Sequence, residues 1–220
     1  MAVWLSRNAE KMRIAKEGLL FILPSLVLFL FSLAINWWPL AVLFLLLALA
    51  FAFFFRDPAR ESPEGEHLLL SPADGKVVKI ESFASHPELS APAVVVSIFL
   101  SLFDVHITRS PLTGTVEKMD YRPGKFFPAY KDEAGTQNES RSLFIKSPNA
   151  RILLKQIVGV AARRIKYFVR ENEKISRGQK IGLMYFGSRV DLYLPPEIRV
   201  KAGLSQKVKA GLTVIAEVKK

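Results

Sequence analysis

The stretch "GLMYFGSRVDLYLP", residues 182–195, reads as a strand, a sharp step at Gly187–Ser188, and a second strand. A glycine inside such a run ordinarily marks a bulge or a close backbone approach. Working outward, the same kind of segment recurs. Short runs rich in Val, Ile and Phe occupy 68–70, 76–82, 93–101, 113–121, 142–146, 151–161, 164–171, 181–186, 189–194 and 207–218, with Pro and Gly between them. Residues 131–141 are ambiguous between a loop and a short helix. "SPADGKV" (71–77) and "ISRGQKIG" (175–182) are turns that each introduce a strand. The pattern predicts a mainly β domain, a sandwich or barrel, over 56–220.

The N-terminal part differs in kind. No charged residue occurs from Gly18 to Phe55. As one helix this stretch would be about 57 Å long, against a bilayer core of about 30 Å. "NWWP" at 36–39 interrupts it, because proline breaks helices and tryptophan favours the membrane interface. Two apolar helices, about 18–35 and 40–55, are expected as a hairpin anchor, either spanning or monotopic. Both are apolar all round, unlike helices that bury a single stripe. Residues 1–17 form a basic N-terminus: Arg7, Lys11, Arg13 and Lys16 precede the hairpin, and Arg56 and Arg60 follow it. Basic flanks on one side predict a cell-membrane protein with its β domain on the cytoplasmic face.

The formal charge is +11, which suits an anionic lipid surface. It is not accompanied by any nucleic-acid motif, so no nucleic-acid partner is expected. The chain has no cysteine, which excludes thiolate chemistry and Cys-ligated metals. Its histidines, His67, His86 and His106, are far apart, and no metal is expected.

Three residues could carry chemistry. Asp74 lies in the "SPADG" turn. His106 lies in "SIFLSLFDVHITRSP" (97–111), flanked by Asp104 and Arg109. Ser188 follows Gly187. A hydroxyl nucleophile needs a base, and the base needs an orienting acid. Spacing alone does not show that the three meet. A Ser–His–Asp hydrolase would fit the set but lacks a Gly-x-Ser-x-Gly elbow. A non-enzymatic barrel-sandwich adaptor would fit the Gly turns, but no carrier lysine flanked by Met appears.

In order, "FFRDPAR", "SPADGKV", "SIFLSLFDVHITRSPLTGTV", "YRPGKF", "NESR", "QIVGVAARRI" and "GLMYFGSRVDLYLP" cover about Phe55 to Pro195. In these the chain resembles the short bacterial and archaeal form of the phosphatidylserine decarboxylases. The resemblance implies a proenzyme that cuts itself between Gly187 and Ser188 into a β chain, 1–187, and an α chain, 188–220. Ser188 would become a covalent pyruvoyl group that forms a Schiff base with the substrate amine, without pyridoxal phosphate. His106 would be the general base and acid, oriented by Asp74. The substrate would be phosphatidylserine, or archaetidylserine by the same chemistry. The two chains would stay together as a heterodimer, itself able to enter a higher oligomer. The family's long forms commonly carry a second His where Arg109 stands here, and Thr or Ser where Arg189 stands. Arg189, Asn138 and Arg141 are candidates for head-group contact. "ARRI" (162–165) reads as a basic membrane-facing stripe or a solvated strand face.

Overall fold

The computed structural model describes residues 12–86, 89, 91–148, 150–160 and 165–218. The chain divides into two compact units, one through Arg60 and one from Glu61. The break falls after the "RDPAR" segment that the composition shift assigned to the second domain. Arg7, Lys11 and most of "ARRI" lie outside the described residues.

The first unit contains strand β1 (Met12–Ile14), helix α1 (Leu19–Ala34), helix α2 (Trp38–Phe54) and strand β2 (Arg56–Pro58). β1 and β2 pair antiparallel, with Arg13 opposite Asp57, so the two flanks of the helix pair are tied together. Neither strand was expected from the sequence. The turn is also placed differently. Asn36 adopts φ +54°, and Pro39 sits in the first turn of α2, where its missing N–H breaks no helical bond. The proline starts the second helix and does not separate the two. Ser25 and Ser32 donate their hydroxyls to the carbonyls of Phe21 and Leu28, so neither is left unpaired on an apolar helix. The apolar helix that includes α1 runs Lys16–Ala34, with mean hydropathy 2.1, and is long enough to cross a membrane; Trp38–Phe54 is shorter. The pair fits a membrane hairpin.

The second unit is mainly β. Its elements are β3 (Leu68–Leu70), β4 (Gly75–His86), β5 (Ala91–Leu100), β6 (Ile107–Arg109), β7 (Gly114–Arg122), α3 (Asp132–Gln137), β8 (Ser140–Lys146), β9 (Arg151–Val158), β10 (Ile165–Tyr167), β11 (Lys174–Ile175), β12 (Lys180–Met184), β13 (Ser188–Leu194), β14 (Ile198–Val200), β15 (Lys207–Val208) and β16 (Val214–Val218). An eight-stranded antiparallel sheet runs β11-β7-β8-β9-β13-β5-β4-β15. Two three-stranded sheets, β10-β12-β6 and β14-β16-β3, complete the unit.

β13 lies in the middle of the large sheet and is buried along its whole length. Alternation sends Val190, Leu192 and Leu194 into the main core, with Val96, Ile98, Leu143 and Leu154. Arg189, Asp191 and Tyr193 face the other side of the sheet. That face is also covered, so the alternation of 189–194 does not mark a solvated face: Arg189, Asp191 and Tyr193 are all buried. The expected strand 207–218 is split into β15 and β16 by a turn in which Gly211 has φ +71°. Of the expected 164–171 strand, Ile165–Tyr167 is the part that is strand among the described residues, and 131–141 resolves into α3 followed by the start of β8.

Candidate active site

β12 belongs to one small sheet and β13 to the large one. Residues 185–187 must therefore carry the chain from sheet to sheet within three residues. They do so with two successive left-handed conformations, φ +45° at Phe186 and φ +63° at Gly187. The second suits glycine; the first is held at a phenylalanine, a conformation that costs of order 1–3 kcal/mol. Strain is thus stored immediately before Ser188.

Ser188 is the first residue of β13, opposite Leu100 of β5 and Val158 of β9. The loops after β5 and β9 and the turn before β13 consequently converge at one end of the sheet. The Ser188 side chain is completely buried, and its Oγ has no hydrogen-bond partner among the described residues. Buried hydroxyls are normally satisfied, so this is a costly arrangement unless the group has a use.

His106 approaches from the loop between β5 and β6. It is fully buried. Its Nδ1 lies 2.9 Å from the carbonyl oxygen of Asp104, and the Gly187 N–H points at its Nε2 from 3.4 Å. A carbonyl oxygen only accepts, so Nδ1 carries the proton and Nε2 presents its lone pair to the Gly187–Ser188 junction. The loop is braced: the Asp104 carboxylate accepts from the N–H and the hydroxyl of Ser101 at 2.8 and 2.6 Å. The orienting acceptor seen here is thus a backbone carbonyl, which side-chain reasoning does not reveal.

Asp74 is buried in the turn before β4, where it accepts from the Ala210 N–H at 2.8 Å. The segment before it runs alongside the end of β6: Leu70 N–H donates to Pro111 and Arg109 N–H donates to Pro72.

The Gly187 carbonyl has a close neighbour that the sequence did not single out. A Cβ placed on Gly159 would lie 2.3 Å from the Gly187 oxygen. Only a glycine lets the chain after β9 pass so near.

The three head-group candidates are placed differently from one another. Arg189 points away from the Ser188 face and is 5% exposed. Its Nε and one terminal nitrogen lie 2.9 and 3.0 Å from the two oxygens of Asp191, and its other terminal nitrogen donates to Ala129 and Lys131 carbonyls. These contacts occupy the guanidinium that the sequence offered to a phosphate or carboxylate. Asn138 is likewise committed: its amide donates to Phe127 and Val158 carbonyls and accepts from the Phe127 N–H. It ties loop 124–128 to the end of β9.

Arg141 differs from both. On β8 it shares the face of Ser188, opposite Tyr121 and Gln156. Its guanidinium stacks over the rings of Tyr121 and Tyr167, and its buried Nε has no hydrogen-bond partner among the described residues. The same is true of the Tyr167 hydroxyl and Gln156 Oε1, while Gln156 Nε2 donates to Thr108, two residues beyond His106. Burial pushes the Tyr167 phenol far above its ordinary range against the opposing effect of Arg141, so it stays protonated. Gln156 was visible in sequence as a polar residue within an apolar strand run, and Thr108 and Tyr167 carried no such signal.

Among the described residues, no group of three or more His, Asp or Glu side chains is placed to hold a metal ion. Residues 47–216 match the phosphatidylserine decarboxylase family. The chain is 42% identical over 202 residues to the phosphatidylserine decarboxylase proenzyme of Syntrophus aciditrophicus, covering 90% of this chain and 94% of that one. It is 42% identical over 211 residues to that of Carboxydothermus hydrogenoformans, covering 96% and 99%. The chain belongs to the phosphatidylserine decarboxylase family, carboxy-lyases made as proenzymes.

Proposed function

We propose that the chain converts phosphatidylserine to phosphatidylethanolamine and CO2, using a pyruvoyl group that it makes from its own Ser188. The observation that carries this reading is the buried, unpartnered Ser188 Oγ next to a left-handed Gly187, with His106 Nε2 directed at the same peptide.

The self-cleavage follows from those residues. His106 takes the hydroxyl proton and Ser188 Oγ attacks the Gly187 carbonyl carbon through a five-membered ring. The C–N bond breaks, the C–O ester forms, and the proton goes to the Ser188 nitrogen. Removal of the Ser188 α-proton expels the Gly187 carboxylate and leaves dehydroalanine. Its imine tautomer takes up water and releases ammonia, leaving the pyruvoyl group on residue 188. Left-handed strain before the bond favours its loss. Asp74 is proposed to support His106 in this set.

The site fits the group: a small residue at the start of a central strand, with a histidine beside it. When formed, the pyruvoyl ketone supplies the electron sink for loss of the carboxylate. His106 then holds the proton that is returned to the substrate's amine-bearing carbon. Arg141, on the Ser188 face with an Nε that has no hydrogen-bond partner among the described residues, is proposed as a head-group contact. The basic flanks of the helix pair, Arg13 and Lys16 before it and Arg56 after it, support a reading in which this chemistry takes place on the cytoplasmic side.

Denaturing mass spectrometry tests the proposal. Two fragments are expected, ending at Gly187 and beginning at residue 188, the second lighter by one ammonia than a serine-initiated peptide. A single intact chain from an active preparation would refute it.

A further inference from the structure

Exposed apolar side chains in the second unit are not scattered evenly. Leu102 and Phe103 are 52% and 76% exposed in the loop that precedes His106. Phe126 and Tyr130 are exposed in the loop tied by Asn138 to the end of β9, and Val160 directly follows Gly159. All five belong to loops that meet at the Ser188 end of the large sheet. Large apolar groups presented together mark a contact surface. Lys125 and Lys131 are exposed in the same loops, while Asp132, next to Lys131, is engaged by Lys79.

The Leu102–Phe103 tip is not a slack loop. Both Ser101–Asp104 side-chain bonds and the Asp104 N–H donation to Ser101 hold it as a tight turn. The carbonyl of that same Asp104 holds His106 Nδ1. The tip and the catalytic imidazole are therefore one rigid piece.

We propose that this end of the second unit is a membrane-docking face, with Leu102 and Phe103 inserted among the lipids and Lys125 and Lys131 at the anionic head groups. The inference rests on the proposed decarboxylation of a bilayer lipid and adds to it the surface through which that lipid enters. Apolar insertion together with lysines near the surface is the composition of an interfacial contact. Docking by these loops turns Ser188 and His106 toward the head groups.

The chain has no cysteine, so Phe103→Cys carries a single environment-sensitive fluorophore. Lys146→Cys, in the β8–β9 hairpin at the opposite end of the sheet, is the reference. Both full-length proteins are placed in phosphatidylcholine–phosphatidylglycerol vesicles with spin-labelled lipid. Blue-shifted emission and quenching at 103 but not at 146 are expected. A probe at 103 as wet as the one at 146 overturns the proposal, as does a shift at 103 that needs protein association and no lipid. Leu102→Ser/Phe103→Ser is expected to self-cleave and to turn over short-chain dispersed phosphatidylserine normally, while losing about tenfold or more on long-chain substrate in vesicles. Equal losses on both substrates overturn the proposal. Quenching at 103 without decarboxylation of either substrate would uphold the docking face and refute the proposed function.

Discussion

Ser188 and Gly159 show how little room the Gly187–Ser188 peptide has. Replacing Ser188 by Ala removes the nucleophile and should leave a single, inactive chain on denaturing gels; a cut and active variant would end the proposed mechanism. His106→Ala removes the base, and general base catalysis is typically worth about 10²–10⁴ in rate. Cleavage followed in time should slow by that order, and processing at the normal rate would remove His106 from the role. Gly159→Ala puts a carbon 2.3 Å from the Gly187 oxygen, too close for any real contact. Either the Gly187 carbonyl turns or the chain after β9 moves. Since the proposed attack of Ser188 Oγ is on that carbonyl, cleavage should fall strongly while the rest of the fold survives, as circular dichroism and time-resolved gels would show.

At the scale of elements, β13 combines the proposed cleavage site at its start with a buried ion pair. Asp191 and Arg189 are 2% and 5% exposed, so removing one partner leaves an uncompensated charge inside the protein. Asp191→Ala, made in the uncut Ser188→Ala background, should lower the unfolding free energy by about 3–5 kcal/mol in urea titrations, whereas Arg189→Met/Asp191→Leu should lose much less. Equal losses from the two would show that the pair itself supplies the stability. This reading of Arg189 was partly open to sequence. Once 188–194 is a strand, period-two alternation puts residues 188 and 189 on opposite faces. What alternation cannot show is that both faces are buried, since that depends on what α3 and its flanking loops cover. The longer strands were legible for the same reason that β1, β6, β11 and β14 were not. A run such as 93–101 carries several repeats of its pattern, while two or three residues carry none unless they are all strongly apolar, as Leu68–Leu70 of β3 are. Asn138 and the Asp104 carbonyl were illegible for another reason: their work is hydrogen bonding to backbone atoms, which every residue type presents alike.

For the whole molecule, the proposed cut would fall at the end of the strand that holds the large sheet together. β13 pairs with β5 along its full length and with β9 along most of it. Downstream of it, β15 adds to the far edge of the same sheet through β4, and β16 joins β14 to β3. Breaking the peptide between residues 187 and 188 removes none of these pairings. It releases only the strained turn at Phe186–Gly187. The 188–220 piece alone could not fold, because its strands find most of their partners in the other piece. The two pieces should therefore elute together in native size-exclusion chromatography and separate only in denaturant. The cut protein should also keep the β signature of the uncut Ser188→Ala chain by circular dichroism. Loss of the small piece during native purification would show that the central strand is not held by its neighbours, and the proposed two-chain enzyme would then have no means of keeping residue 188 beside His106.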